Sequence, residues 1–252
     1  MSAFFLKLIA VTTMFIDHLG VALRLSGLLS GAGTVYKVMR IVGRIAFPIY
    51  GLMVAEGVIY TRSRPRYFLR LLMFAILSEL PFDLALRGRL AVWDHQNVYF
   101  TLMLGMIIMS VIAWGSRLPG WKKIPGLGLA AVLAAGFAYA SRKWLHLDYQ
   151  AAGIVMLTVI GILVMPLEEL RSRIPWENFL RCFFVAAAVI AMTPLTSNTE
   201  YYALLALIPI YFYNGKKGYT SEVIKYAFYA FYPLHLLFLW LAFVLPKFGF
   251  RF

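Results

Sequence analysis

Long apolar runs dominate the chain, and several are long enough to cross a membrane as a helix, which takes about 20 mainly apolar residues. Of the 252 residues, 62% are hydrophobic and only 14% are charged. A soluble enzyme fold of this size would need a far more charged surface, so that class is excluded. The sequence predicts an all-α, polytopic transmembrane helical bundle of about nine or ten spans.

Turn-forming residues such as Pro65, Pro119 and the pair Asn214-Gly215 fall between the apolar runs. No linker or tandem repeat divides the chain, so residues 1–252 are predicted to form a single transmembrane domain. We interpret the first run as a retained span, because it is too long for a signal peptide and lacks a clear cleavage site. The nine candidate spans are Phe4–Leu23, Lys37–Tyr60, Tyr67–Leu86, Asn97–Gly115, Pro125–Ala140, Tyr149–Met165, Phe179–Met192, Tyr201–Tyr213 and Glu222–Leu245.

Basic residues outnumber acidic ones by 24 to 11. In a membrane protein this excess favours short cytoplasmic loops facing anionic lipid, so we predict the bilayer as a partner and no nucleic acid. With nine spans, the loops on the side of the N-terminus hold ten basic residues and the opposite loops seven, which favours a cytoplasmic N-terminus. The ten are Arg62, Arg64, Arg66, Arg117, Lys122, Lys123, Arg171, Arg173, Lys216 and Lys217, and the seven are Arg24, Arg87, Arg89, Arg142, Lys143, Lys247 and Arg251.

The first span carries ionisable side chains, each of which costs about 2.5 to 3.5 kcal/mol to insert and is therefore a functional candidate. Lys7 and His18 are eleven residues apart, which places them on nearly the same helical face, separated by about 16 Å along the axis. They would suit the two ends of a long ligand such as acyl-CoA, with the imidazole at the reacting centre. Alternatively, Lys7 extends to the lipid interface and His18 is a buried packing residue.

Histidine is also the side chain best suited to proton transfer near neutral pH, which makes His18 the candidate catalytic base. Its neighbour Asp17 points about 100° away on a helix and is predicted to pair with an arginine of another span. In the second candidate span, Arg40 and Arg44 lie four residues apart on one face and would suit phosphate groups. The alternative for both arginines is structural ion pairing.

Prolines mark two expected irregularities. Pro48 is predicted to kink the second span between Arg44 and Glu56. Pro81, between Glu79 and Asp83, is predicted to break the third span and expose backbone groups to a cavity. This span begins with a basic run that would serve a lipid-facing loop or cofactor phosphates. The run consists of Arg62, Arg64, Arg66 and Arg70.

Asn97, Asp148, Tyr232 and His235 complete the candidate polar network. His235 follows Pro233 within an apolar run, and we expect it to donate to a freed backbone carbonyl, although it would also fit the His18 cavity. The four histidines have no i, i+4 pair, so no metal is predicted. The single cysteine excludes an internal disulfide.

These residues resemble the TraX family of integral membrane proteins, in order and over nearly the whole chain. In the wider transmembrane acyltransferases, to which the family is similar, a basic residue, ten intervening residues and a histidine mark the first span of one branch, and Lys7 to His18 reproduces that spacing. The matching stretches are Leu6-Lys7 to Asp17-His18, Arg44-Ile45-Ala46-Phe47-Pro48, Glu56-Gly57, Tyr67 with Arg70-Leu71, Ser78-Glu79-Leu80-Pro81-Phe82-Asp83, Asn97 with Gly105, Asp148 with Gly153, and Phe231-Tyr232-Pro233-Leu234-His235-Leu236.

The resemblance implies an enzyme of the bacterial inner membrane that uses acetyl-CoA as donor and cofactor. It implies His18 as the catalytic base, and Asp17, whose charge would tune that histidine, is the second catalytic candidate. The family's named activity is N-terminal acetylation of a conjugative pilin, but a cell-envelope glycan is equally open as acceptor. The residues assigned to the CoA phosphates are Lys7, Arg40 and Arg44, with Arg62 and Arg70 as further candidates.

The sequence thus predicts a membrane-embedded acyltransferase that moves a short acyl group from acyl-CoA to an amine or hydroxyl of an envelope protein or glycan. The alternative is a proton-coupled transporter that uses the same intramembrane His, Asp, Glu and Arg side chains. A scaffold for envelope assembly is the third hypothesis, but it leaves the placement of Lys7 and His18 unexplained.

Overall fold

The computed structural model describes residues 1–31, 33–90, 92–169 and 176–248. Within these ranges the chain is helical, with an isolated bridge between Gln96 and Leu147, so the predicted all-α class is confirmed. Three of the arginines used to predict orientation, Arg171, Arg173 and Arg251, lie outside the described ranges.

The helices follow the predicted apolar runs closely, usually extending them by a few residues at each end. The α-helices are α1 (Ala3–Leu25), α2 (Thr34–Gly43), α3 (Ala46–Tyr60), α4 (Arg64–Arg87), α5 (Val98–Gly115), α6 (Lys123–Lys143), α7 (Gln150–Glu169), α8 (Glu177–Met192), α9 (Leu207–Tyr211), α10 (Glu222–Leu239) and α11 (Leu245–Phe248). Short 3-10 helices cover Gly120–Lys122, Thr193–Leu195 and Asn198–Ala206, and a π-helix at Trp240–Val244 joins α10 to α11.

Seven helical segments of the described chain are long and apolar enough to cross a membrane. The protein is therefore a multi-pass membrane protein, but the predicted count of nine or ten spans is too high. The seven are Ala3–Leu25, Thr34–Tyr60, Val98–Gly115, Gly120–Lys143, Gln150–Glu168, Glu177–Leu195 and Glu222–Lys247.

Two of the nine predicted spans are absent from the seven. The helix α4 is 24 residues long but carries six charged side chains, from Arg64 to Arg87. The run Tyr201–Tyr213 forms the second part of a nine-residue 3-10 helix followed by the five residues of α9, and it has no apolar helix of spanning length. Apolar content alone did not distinguish these segments from spanning helices.

The second predicted span is interrupted where its arginines lie. The helix α2 ends at Gly43, two turn residues follow, and α3 begins at Ala46. The interruption lies just before Pro48, whose ring cannot be accommodated against the carbonyl four residues earlier and which has no N–H to bond it. That carbonyl belongs to Arg44, so the predicted irregularity lies at the arginine and not between Arg44 and Glu56.

Pro81 does not break α4, contrary to the prediction. The helix begins after Ser63, whose side chain caps the Arg66 N–H, and ends at Gly88, which has the left-handed conformation that favours glycine. Tight packing of α4 against α10 and α5 compensates for the hydrogen bond that proline removes.

Contacts with α1 define two ends of the bundle. At the first, which we call the Lys7 end, the loop after α9 covers the start of α1, with Ala3 N–H donating to the Lys216 carbonyl at 2.8 Å. At the second, the His18 end, the Lys247 ammonium donates to the Leu25 carbonyl at 3.1 Å. The apolar core between these ends is built mainly from α1, α3, α4, α5, α7, α8 and α10.

Candidate functional site

Two cavities enter the bundle, one from each end. The His18 cavity, of about 300 Å³, is lined by Asp17, His18, Arg40 and Arg44, among others. The Lys7 cavity, of about 900 Å³, lies between the start of α1, the end of α3 and the starts of α4 and α10. Tyr50 of α3 lines both cavities. The predicted site residues therefore divide between two places in the molecule.

A histidine pair forms one wall of the polar centre. The Nδ1 atom of His18 lies 2.7 Å from the Nε2 atom of His235, and the two rings are nearly parallel. The Nδ1 atom of His235 lies 2.8 Å from the carbonyl oxygen of Phe231. His235 therefore bonds a backbone carbonyl and contacts His18, but the carbonyl is not the one freed by Pro233, and His235 itself does not line the His18 cavity.

These contacts fix the proton positions when both rings are neutral. The Phe231 carbonyl can only accept, so His235 donates from Nδ1 and its Nε2 is left as an acceptor. His18 must then donate from Nδ1 to His235. The remaining nitrogen of His18, Nε2, carries a lone pair, and no residue in the described chain is placed to donate to it. This arrangement can accept a proton from a group in the cavity.

The carbonyl freed by Pro233 is satisfied by a different residue. Proline at position 233 leaves the Tyr229 carbonyl without its helical donor. The phenol of Tyr99 donates to that carbonyl at 3.1 Å. The Phe231 carbonyl that His235 contacts is thus a second, separate backbone site, one helical turn before the histidine.

An ion-pair network joins α1, the α2–α3 junction and the 3-10 helix at Asn198–Ala206. Arg40 contacts Asp17 at 2.5 Å, and Arg44 contacts Asp17 at 3.5 Å and Glu200 at 2.6 Å. The pairing of Asp17 with arginines of another span agrees with the prediction. Burial raises the pKa of the Glu200 carboxyl, whereas the Arg44 guanidinium opposes that shift. Arg44 is therefore held between two carboxylates and is not free to bind a phosphate with its whole fork.

The close approach of α2 to α1 depends on a glycine. A Cβ atom built on Gly43 would overlap the side chain of Asp17. The absence of a side chain there lets Asp17 lie against the backbone of α2, within reach of Arg40 and Arg44.

A second carboxylate and histidine also line the His18 cavity. His95 Nε2 is 3.1 Å from Asp148 Oδ1, and the ring of Tyr149 stacks on Phe47 at a centroid distance of 3.8 Å. All four residues line the cavity. The predicted site residue Asp148 therefore lines the same cavity as His18 and pairs with His95.

The Lys7 cavity contains the other group of predicted residues. Lys7 lies over the ring of Phe228 at 5.9 Å, and Arg70 lies over the ring of Tyr67 at 5.7 Å. Glu56 also lines this cavity and accepts a hydrogen bond from Tyr213 at 2.7 Å.

The five residues predicted to hold a cofactor do not share one cavity. Lys7 and Arg70 line the Lys7 cavity, whereas Arg40 and Arg44 line the His18 cavity. Arg62 lines neither of them. A single ligand would have to pass Tyr50 to reach both groups.

Structural roles are clear for three of the predicted polar residues, Asn97, Glu79 and Asp83. Asn97 caps α5 through the Tyr99 N–H at 3.0 Å and bonds the Glu79 carboxylate. Asp83 accepts from the Val92 N–H at 2.7 Å and so closes the loop after α4. None of these three residues lines the His18 cavity. Tyr232 is buried, with its ring edge against both His18 and His235.

Sequence reasoning missed two buried ionic residues. Glu200 lies just outside the predicted run Tyr201–Tyr213, so no span drew attention to it. Arg181 is fully buried in α8 and contacts Glu168 at 2.6 Å and also Glu177. Arg181 lies inside the predicted span Phe179–Met192, and a charged residue within a span is by itself a reason to examine it as a candidate.

The fold and the two cavities define a polytopic helical membrane protein with a buried histidine and ion-pair centre. The family model described as TraX protein matches residues 2–243. The chain belongs to the TraX family, so the resemblance stated from the sequence is confirmed, whereas similarity to acyltransferases is not shown.

A relative of comparable length is the "Probable fimbrial assembly protein FimC, serogroup H1" of Dichelobacter nodosus. It is 28% identical over 259 aligned residues, which cover 93% of each chain. No solved structure matches this chain.

The comparisons overturn the predicted function. The match over 93% of both chains is to a protein named for fimbrial assembly, and neither comparison indicates acyl transfer or solute transport. The predictions of an acyltransferase and of its transporter alternative are therefore wrong as statements of function. Within the described ranges, no group of three or more His, Cys, Asp or Glu side chains could hold a metal ion.

Proposed function

We propose that this protein is a membrane component of pilus production, either fimbrial or conjugative, and that its His18 centre acts on a pilus subunit or its precursor. The observation that carries the proposal is the full-length similarity to a fimbrial assembly protein. The TraX match over residues 2–243 agrees with it.

The geometry of the His18 centre supports a chemical role in this process. His18 lines a cavity, its neutral ring carries a lone pair on Nε2, and His235 and Phe231 fix the orientation of the ring. A substrate amine or hydroxyl placed against Nε2 would lose its proton to His18. Asp17, held by Arg40 and Arg44, would set the charge of the same cavity wall. That the protein is an enzyme and that it binds acetyl-CoA remain predictions from the sequence.

We propose the bacterial inner membrane as the location, with the N-terminus and the Lys7 end in the cytoplasm. Arg62, Lys216 and Lys217 lie at the Lys7 end, in loops whose basic side chains favour retention on the cytoplasmic side. The His18 cavity would then open to the opposite face, where pilus subunits are assembled.

The test is replacement of the chromosomal gene by His18→Ala in a host that makes pili. Surface pili are counted by electron microscopy, and the intact mass of the purified subunit is measured with no assumption about what is added. We expect loss of pili or a changed subunit mass, with normal amounts of the variant in the membrane. The matched control is His146→Asn, outside both cavities, where asparagine tolerates the positive φ of that position.

Normal pili of normal subunit mass in the His18→Ala strain would contradict a chemical role for this residue. Normal pili in a strain that lacks the whole gene would contradict the proposed function itself. The two results separate the function of the protein from the function of its histidine.

A further inference from the structure

The Lys7 cavity has an unbalanced charge. Five cationic side chains line it, against the two carboxylates of Glu56 and Glu222. Glu222 pairs with Lys225, and Glu56 accepts hydrogen bonds from Tyr213. The five cations are Lys7, Arg70, Lys216, Lys217 and Lys225.

Neither of the two inner cations of this cavity has a carboxylate within ion-pair distance in the described chain, although the Glu56 carboxylate attracts Lys7 electrostatically. Lys7 contacts the aromatic face of Phe228. Arg70 contacts the ring of Tyr67 and bonds the Tyr229 side chain, but its Nε atom is buried without a hydrogen-bond partner. Charges at membrane depth are costly unless they are compensated, so an excess of five cations over two carboxylates in one cavity indicates a site for an anion.

Apolar side chains also line this cavity, beside its charged and hydroxyl-bearing residues. Val11 lies one helical turn further along α1 than Lys7, and Val54, Leu71 and Leu102 line the same cavity. A volume of about 900 Å³ is within the range of sites that enclose a small organic ligand. A ligand that joins a charged group to an apolar chain would match this lining.

We propose that the Lys7 cavity binds a phosphate-bearing amphiphile, with the phosphate held by Lys7 and Arg70 and the apolar chain lying along Val11 and Leu102. Arginine suits a phosphate because its donors form a planar fork, and the free Nε atom is one of them. Lys216 and Lys217, at the mouth, would attract the anion before it enters.

The proposal does not rest on the function in pilus production, because binding is measured on the isolated protein. The purified full chain is placed in phosphatidylcholine nanodiscs and titrated with dioleoylphosphatidylglycerol, and retained lipid is counted by native mass spectrometry. A second titration uses inorganic pyrophosphate. The variant is Lys7→Gln with Arg70→Gln, and the matched control is Arg62→Gln with Arg66→Gln, two arginines at the same end that do not line the cavity.

We expect the anionic lipid to be retained over the zwitterionic one by wild type and by the control, and at least about tenfold more weakly by the Lys7 and Arg70 variant. If pyrophosphate binds with the same residue dependence and displaces the lipid, the source of the phosphate is a soluble molecule. Equal retention by the variant and the control, or no preference for the anionic lipid in wild type, would overturn the proposal.

A variant that fails to fold would also lose the lipid, so a second change is needed. Lys217→Gln alters only the mouth of the cavity and is expected to weaken retention by a smaller factor that disappears at high salt, because exposed charges are screened there. Thermal melting and gel filtration of each variant establish that it is folded. A folded Lys217→Gln variant with undiminished lipid retention at low salt would contradict the assigned entrance.

Discussion

At the scale of single residues, the molecule is organised around buried charges that are paired and buried rings that are oriented. Arg44 contacts carboxylates from two different elements, Asp17 of α1 and Glu200 of the 3-10 helix at Asn198–Ala206. Removing one partner of a buried pair leaves an uncompensated charge, whereas removing both partners is far less costly. Arg44 should therefore matter more to stability than an arginine without a carboxylate partner.

We predict that Arg44→Leu destabilises the folded protein by about 3 to 5 kcal/mol, because the buried Glu200 carboxylate loses its counter-ion and Asp17 keeps only Arg40. Adding Glu200→Gln to this variant should restore part of the loss. The measurement is thermal unfolding in detergent. Arg24→Leu, at the same cavity but bonded to the Tyr36 hydroxyl, is the matched control and should change little. Equal destabilisation by Arg44→Leu with and without Glu200→Gln would exclude the coupling.

The histidine pair makes a separate prediction about proton position. In wild type, His18 should carry its proton on Nδ1, because His235 Nε2 accepts it. Replacing His235 with Leu removes the acceptor, so His18 is no longer expected to be held in this tautomer. If His18 acts as a base, cells that carry this variant should also lose their pili. In His235→Gln the side-chain amide offers both an acceptor and a donor, so this variant should keep more of the Nδ1-protonated tautomer of His18 and more of the pili than His235→Leu does. Side-chain nitrogen NMR reports the tautomer independently of pili, and an unchanged tautomer in His235→Leu would rule out the assigned orientation.

Most of these residues could be chosen from sequence, but their grouping could not. Lys7 and His18 do lie on one helix and are ionisable within a span, as the periodicity predicts. The cavity that each one lines depends on the helices packed around α1, and helical spacing carries no information about them. The pairing of Glu200 could not be predicted for the same reason, since its partner Arg44 is 156 positions away in the sequence.

At the scale of helices, small residues decide how closely neighbours approach. Gly43 lies against Asp17, where any Cβ atom would overlap the carboxylate side chain. Gly128 of α6 has no atom within 4 Å of the same hypothetical Cβ. The two glycines therefore differ in role, although both lie within helices.

We predict that Gly43→Ala destabilises the protein by about 1 to 3 kcal/mol, the usual cost of overpacking, and loosens the contact of Asp17 with Arg40. Gly128→Ala should be neutral or stabilising by up to about 1 kcal/mol, because alanine is the better helix former. Both are measured as shifts of the thermal midpoint. A Gly43→Ala protein as stable as wild type would mean that α1 and α2 can move apart without any loss of folding stability.

The apolar pattern predicted most of the helices but not their interruptions. Pro48 and Pro81 have the same local chemistry, yet the chain turns before Pro48 and stays helical through Pro81. The difference arises from tertiary packing, since α4 is held along its length by α10 and α5. The same limit explains the segment Tyr201–Tyr213, whose apolar residues fold into two short helices.

At the scale of the whole molecule, the two cavities open at opposite ends of the bundle and share one side chain. Tyr50 lines the cavity that contains His18 and also the one that contains Lys7. An apolar core surrounds both of them. The aromatic ring of Tyr50 is thus positioned as the barrier between two polar spaces that reach into the membrane from its two faces.

We predict that Tyr50→Ala joins the cavities and lets protons or small ions leak across the membrane, because a bulky ring is replaced by a methyl group at their common wall. The protein is reconstituted into liposomes that contain a pH-sensitive dye, and the decay of an imposed pH gradient is followed. Tyr36→Ala, which enlarges the His18 cavity alone, is the matched control and should let the pH gradient decay no faster than wild type does. Equal decay in wild type and Tyr50→Ala would mean that other side chains keep the two cavities apart, and that Tyr50 only marks where they come closest.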